Sequence, residues 1–217
     1  MSRYPKGAYK KDTILSNAKT LFYQKGIAAT TLKEIAAMDD DPVSLVHYYF
    51  RKKDDIVREI YYDFFGNIDL FVYSNIPATD THVLMAHILT QRIYYDIIFS
   101  DVRNKRVYDE SLGPASNARL IHPYIEHVYR KIIEEFDIVL SEDQFQAYIS
   151  MDFGARREII DKYATGQIKL EIQELTEDLA RTFPLMIGLS QEKTIEILAE
   201  TKYWFEKLDH SNLKFLI

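Results

Sequence analysis

Apolar residues recur along the first part of the chain with a helical period. Ile14, Leu15, Ala18, Leu21 and Phe22 form one stripe. The spacing predicts a helix capped by Asp12 or Thr13 and stopped at Gly26, where a left-handed residue is wanted. Thr31 and Glu34 stand at capping-box spacing and open a short second helix with Ile35 and Ala36 inward. The run Asp39, Asp40, Asp41, Pro42 breaks that helix. Asp41 is expected to cap a third, short helix, about Val43 to Tyr49, with Pro42 at its first position. A long fourth helix then carries Ile56, Ile60, Phe64 and Phe71 and ends before Pro77.

The rest of the pattern is helical as well, over about 81–99, 101–111, 123–137, 142–164, 168–189 and 191–208. Ser141 and Ser190 are expected N-caps, and Gly166 a stop. Gly113 and Pro114 break the chain, and Pro184 is expected to disturb its helix. The fold class is therefore all-α. A three-helix helix-turn-helix domain over 1–55 is joined by the fourth helix to a larger helical domain over 56–217. No repeat or flexible linker interrupts the chain.

Charge changes the picture. The net charge is −6, yet residues 1–60 hold eleven Lys and Arg against eight Asp and Glu. The tail residues Arg3, Lys6, Lys10 and Lys11 have no acid among them. A basic module on an acidic body points to a polyanionic partner. The absence of cysteine excludes disulfide scaffolds, thiol nucleophiles and Cys-based zinc sites. His82 and His87, and His122 and His127, are each five apart, so helical turns send them to different faces and no metal site is expected. Gly154-Ala-Arg-Arg-Glu158 is a helical fragment and no phosphate loop. Neither a nucleophile elbow nor another catalytic constellation stands out, so no enzyme, catalytic residue or cofactor is expected. The chain shows no apolar run of membrane-spanning length and no apolar leader, which makes the cytoplasm the expected compartment.

Residues 31–50 have the layout of a helix-turn-helix. Its second helix must enter the major groove, so it must be short and lightly packed outside, yet anchored inside. Val46 and Phe50 supply the anchor. Val43, Ser44, His47 and Tyr48 are left outward, as hydrogen-bonding groups and contacts for thymine methyls. Thr31 at a helix N-terminus and Lys53 at the start of the fourth helix are placed to hold phosphates.

These residues resemble the TetR family of bacterial transcriptional regulators. The likeness runs without a gap from Ile14 to about Ile60 through three strings: ILSNAKTLFYQKG (14–26), ATTLKEIA (29–36) and LVHYYFRKKDDI (45–56). The resemblance implies phosphate contacts from Thr31, Tyr48, Tyr49 and Lys53, and groove-facing positions at Val43, Ser44, Leu45 and His47. The turn departs from the family, which usually has Ala-Gly-Val-Ser where this chain has Asp39-Asp40-Asp41-Pro42. Asp40 must then take the left-handed conformation, and three carboxylates near a phosphate backbone should weaken binding.

The resemblance also implies a ligand pocket and a twofold dimer. Tyr94, Phe99, Tyr108, Tyr124, Tyr148 and Phe153 are the expected pocket aromatics, rings with polar tips that suit an apolar or aromatic effector. Ile172, Leu175, Leu179 and Phe183, with Ile195, Leu198 and Phe205, are the expected two-helix dimer face. The expected function is a homodimeric repressor released from a palindromic DNA operator by a small molecule. The alternative is a helical ligand-binding or adaptor protein with weakened DNA binding, kept open by the acidic turn.

Overall fold

The computed structural model describes residues 6–77, 79, 82–112 and 120–217. Arg3 of the basic tail and the Gly113–Pro114 break lie outside them. The described residues form ten helices and no strand: α1 (Lys6–Lys25), α2 (Leu32–Ala37), α3 (Val43–Tyr49), α4 (Lys53–Asn75), α5 (Val83–Ser100), α6 (Val102–Leu112), α7 (His122–Glu135), α8 (Glu142–Ala164), α9 (Ile172–Met186) and α10 (Gln191–Lys207).

Several boundaries follow from local chemistry. Helix α1 begins earlier than the stripe predicts. Thr13 does not cap it, because the Thr13 hydroxyl donates back to the Tyr9 carbonyl at 2.9 Å from inside the helix. Gly26 ends it with φ +88°. Ser141 caps α8 and Ser190 caps α10, each accepting from the backbone N–H three residues on. Helix α9 runs only two residues past Pro184 and stops at Met186, short of the expected Leu189.

The helices fall into two compact units. The first comprises residues 1–64, 100–121 and 214–217, and the second 65–99 and 122–213. The unit that holds α1 to α3 thus also takes in α6 and the last four residues, segments the sequence places with the body.

In the first unit Ile14, Ala18, Phe22, Ile35, Val46, Phe50, Ile56 and Ile60 form the core. Phe215 adds its ring to that core at 5.0 Å from Tyr61 and 5.1 Å from Phe64. Helix α6 is tied to the C-terminal end of α1. Asp101 accepts from the Tyr23 hydroxyl at 2.8 Å, and Arg106 donates to the Tyr23 carbonyl at 2.8 Å. Glu110 accepts from the Ala28 N–H at 2.8 Å. Arg106 thereby satisfies a carbonyl at a helix C-terminus, where the backbone lacks partners and a cation is favoured.

The second unit is built around α5. Thirteen of its residues are buried on all sides of the helix, as expected of a helix enclosed by others. Two of the buried polar groups among them are matched from neighbouring helices. Arg92 donates to Glu177 of α9 at 3.1 Å, and Thr90 donates to Asp69 of α4 at 2.8 Å.

Candidate nucleic-acid interface

The second helix of the motif presents two faces. Val46 and Phe50 are buried against the rest of the head. Burial of each stabilises the head by about 1.5–3 kcal/mol. On the other face Val43, Ser44, His47 and Tyr48 are exposed, Tyr48 at 80%. An exposed tyrosine on a seven-residue helix makes no packing sense within the chain, and it suits an external partner. Tyr49 is half-buried, with its ring edge-on to that of Tyr48 at 5.0 Å. Leu45 is half-buried and so contributes only its edge to the outer face.

Thr31 opens α2 in the predicted capping box. Its hydroxyl oxygen accepts from the Glu34 N–H at 3.2 Å, and Glu34 accepts from the Thr31 N–H at 2.9 Å. Lys25 holds Glu34 from the end of α1 at 2.6 Å. The Lys25 ammonium first, and the Thr31 N–H second, push the Glu34 carboxyl down to about 2.

Lys53 is more constrained than a free phosphate ligand. Its ammonium donates to the carbonyls of Ile27 and Thr30, each at 2.7 Å. It fastens the loop between α1 and α2 onto the start of α4, with one N–H donor left over. Asp55 caps the same helix start by accepting from the N–H groups of Arg51 and Lys52 at 3.1 and 3.3 Å. The Arg51 and Lys33 side chains are exposed on the head, and sequence reasoning passed over both.

The acidic turn corrects one expectation and qualifies another. Asp40 does take the left-handed conformation, at φ +54°. Asp41 does not cap α3. Pro42 occupies the N-cap position without a side-chain cap, and the helix starts at Val43. The Asp41 carboxylate instead meets the Lys10 ammonium at 2.5 Å, and Asp39 accepts from Asn17 at 2.8 Å. Helix α1 reaches far enough back to supply that lysine because it begins at Lys6. Two of the three carboxylates are therefore partnered within the head.

These features decide the comparison with known proteins. Residues 14–60 match the profile described as "Bacterial regulatory proteins, tetR family". That stretch, which spans α2 and α3, is what this chain shares with the family. Over 55 residues the chain is 36% identical to "Probable HTH-type transcriptional regulator YttP" of Bacillus subtilis (strain 168). That alignment spans 25% of this chain and only 27% of the relative. The whole fold is similar to RolR in complex with resorcinol, with a TM-score of 0.60 at 13% identity, covering 89% of this chain and 95% of RolR. RolR without ligand gives 0.56 at 11% identity over 87% and 96%. These structures establish the likeness of fold beyond the TetR-type head.

Several of the residues expected to line a pocket are linked by ring contacts in the second unit, Tyr94 to Phe99 through Tyr95 among them. Tyr94 is buried, and Phe65 stacks against both Tyr94 and Tyr124, at 5.0 and 4.8 Å. Phe99 meets Tyr163 edge-on at 5.2 Å, and Phe153 lies 4.8 Å from the His122 ring. Tyr148 is half-buried. Tyr108, on α6, is grouped with the first unit, and the other five with the second.

The expected dimer stripe divides in the same way. Leu175, Leu179, Phe183 and Leu198 are buried within the second unit, so they serve its own core. Ile172 and Phe205 are half-buried, and Ile195 is exposed. The neighbouring exposed apolar groups on α9 and α10 are Leu185 and Tyr203. Both stripes are amphipathic, and periodicity alone does not say whether the cover comes from the same chain or from another.

A buried polar network in this unit was not singled out from the sequence. Asp152 and Arg156 of α8 are joined at 2.6 Å, and the Tyr129 hydroxyl donates to the same carboxylate oxygen at 2.6 Å. Arg156 also donates to Gln91 at 3.0 Å and to the Leu179 carbonyl at 3.0 Å. Gln91 in turn lies 2.7 Å from His87 Nε2. The signal in the sequence was the i, i+4 pairing of opposite charges on an otherwise inward face.

Proposed function

We propose that this protein is a transcriptional regulator that binds a palindromic DNA operator as a homodimer and is released by a small apolar or aromatic effector. The observation that carries the reading is α3, a short helix anchored by Val46 and Phe50 with Val43, Ser44, His47 and Tyr48 open to the outside. That is what major-groove reading requires. Tyr48 and Tyr49, the remaining donor of Lys53, and Arg51 and Lys33 would hold the backbone, while Val43, Ser44, His47 and the edge of Leu45 would meet base edges. Pairing of Asp39 and Asp41 inside the head lowers the repulsion that favoured an adaptor without DNA binding.

A second copy would dock on α9 and α10, where Leu185, Ile195 and Tyr203 are exposed. Two reading helices would then meet half-sites roughly 34–36 Å apart or a multiple of that distance. A small effector is supported by the aromatic content of the second unit, and by a chain of the same fold, RolR, solved with resorcinol. Release requires the effector to bind one conformation better than the other. Helix α4, continuous from Lys53 to Asn75, is the proposed route of the change. Among the described residues no helix is long and apolar enough to cross a membrane, and a cytoplasmic location is part of the proposal.

The test is selection from random duplex DNA at low salt with the full chain. Enrichment of a palindrome bound by a dimer is the expected result. A pool that converges on no palindrome overturns the reading.

A further inference from the structure

The outer face of α3 is defined by what it lacks. Its seven residues, VSLVHYY, include no Arg, Lys, Asn or Gln. Those are the side chains that read base pairs with two hydrogen bonds at once, Arg and Lys on guanine, Asn and Gln on adenine. Lys33 and Arg51 are exposed on the same head, but neither stands on α3. Lys33 lies on α2, the helix of the motif that crosses the backbone. Arg51 follows the Phe50 C-cap, beyond the end of the reading helix.

Four groups are left for base edges. Ser44 and His47 are exposed, and each meets a base through a single hydrogen bond. A hydroxyl suits donors and acceptors alike, so Ser44 separates bases weakly. The other two groups are hydrocarbon. Val43 is 39% exposed, and Leu45 shows its edge. An exposed valine neither fills the core nor favours a helix, where alanine would be better. Its side chain has one matching feature in the major groove, the 5-methyl group of thymine. The rival reader is Asp40, exposed in the turn before α3. A carboxylate accepts from the cytosine amino group, but it also meets phosphate repulsion.

We infer that Val43 is the main specificity-determining residue of the reading head and that it selects thymine by its methyl group. Each half-site presents a 5-methyl group to Val43, with the edge of Leu45 beside it. Ser44 and His47 add hydrogen bonds that fix the register. The inference rests on the operator reading above, and it adds to that reading the base that is recognised and the atom that recognises it.

The experiment takes the palindrome selected by the full chain and makes it in three forms. One carries thymidine, one deoxyuridine in its place throughout the half-sites, and one 5-bromodeoxyuridine. Deoxyuridine keeps every base pair and every hydrogen-bonding group and removes only the methyls. A buried methyl corresponds to about fourfold in affinity, so two half-sites are expected to lose about tenfold or more on the deoxyuridine duplex. Bromine fills the space of the methyl, and the third duplex is expected to bind like the first. Val43→Ala is expected to melt as the native chain does and to bind the thymidine duplex less tightly. Its penalty for deoxyuridine is expected to shrink to less than about threefold, as a shared contact requires. The comparison of the three duplexes on the native chain stands even if that variant fails to fold.

Equal affinity for the thymidine and deoxyuridine duplexes overturns the inference, and so does an undiminished penalty in Val43→Ala. A loss that bromine does not restore belongs to duplex shape and overturns it too. Half-sites fixed at cytosine without thymine would hand the readout to Asp40. Each of these results leaves the regulator reading standing, whereas a pool without a palindrome overturns both.

Discussion

The ammonium of Lys10 stands 2.5 Å from Asp41 Oδ2 and 3.9 Å from Asp39 Oδ2, so one cation near the start of α1 serves two acids of the reading turn. This pairing raises the Lys10 pKa, chiefly through its hydrogen bond to Asp41. The lysine therefore stays charged across the physiological range, and the turn keeps its counter-charge. On the proposed reading Lys10→Ala should weaken operator binding by roughly five- to tenfold at low salt, because it uncovers two carboxylates near the phosphates. Asp39→Asn with Asp41→Asn should strengthen binding by less than that, since those charges are already offset. Fluorescence anisotropy with a labelled operator at two salt concentrations measures both. Unchanged affinity in Lys10→Ala would show that the turn lies away from the backbone.

Tyr48 and Lys53 were expected to behave alike, and their surroundings now set them apart. Tyr48 is exposed, so Tyr48→Ala should change stability by no more than about 0.5 kcal/mol. It should still cost about tenfold in operator affinity. Lys53 joins two carbonyls of the α1–α2 loop. Lys53→Ala should therefore lower head stability by about 1–3 kcal/mol as well as weakening binding. Thermal melts beside anisotropy separate the two. A Lys53→Ala chain with native melting would leave the lysine as a phosphate contact only.

Gly26 combines a positive φ with a crowded flank. A Cβ there would come 2.5 Å from Glu110 Oε1, while Oε2 of the same carboxylate accepts from the Ala28 N–H. Gly26→Ala should destabilise the chain by at least about 1 kcal/mol through backbone strain alone. Pairing it with Glu110→Ala should recover the part due to crowding and none of the part due to φ. Denaturant melts of the two single variants and the double variant form the cycle. Additive losses would mean that the Glu110 side chain swings away freely.

The head was legible because its signals are local. Capping-box spacing, a stripe and a glycine stop each act within a few residues of α1 and α2. The turn was misread at Asp41, whose fate depends on Lys10, thirty-one positions away in the chain. The same limit explains the second unit. The sequence shows that α9 and α10 have apolar faces, but Leu175 and Leu198 go to the chain's own core while Ile195 stays exposed. Of the aromatics expected to line a pocket, Tyr94 and Tyr124 each stack on Phe65, a partner distant from both in the chain. The polar network around Asp152 escaped notice because its members come from α5, α7, α8 and α9, and only the Asp152–Arg156 and His87–Gln91 steps are local.

His87 makes that network sensitive to acid. Burial first, and the Arg156 charge second, push its pKa from the ordinary 6.5 down to about 3. The folded protein thus holds this imidazole neutral where an unfolded chain would protonate it. A depressed histidine leaves stability intact above about pH 6.5. Below that the unfolded state binds the extra proton, and stability falls by about 1.4 kcal/mol per pH unit until the folded pKa is reached. His87→Gln removes the titrating group while keeping a polar side chain beside Gln91. Between pH 6.5 and pH 4 the melting temperature of the native chain should therefore fall more steeply than that of His87→Gln. Parallel curves for the two proteins would place the imidazole in contact with water, and would take it out of the buried network.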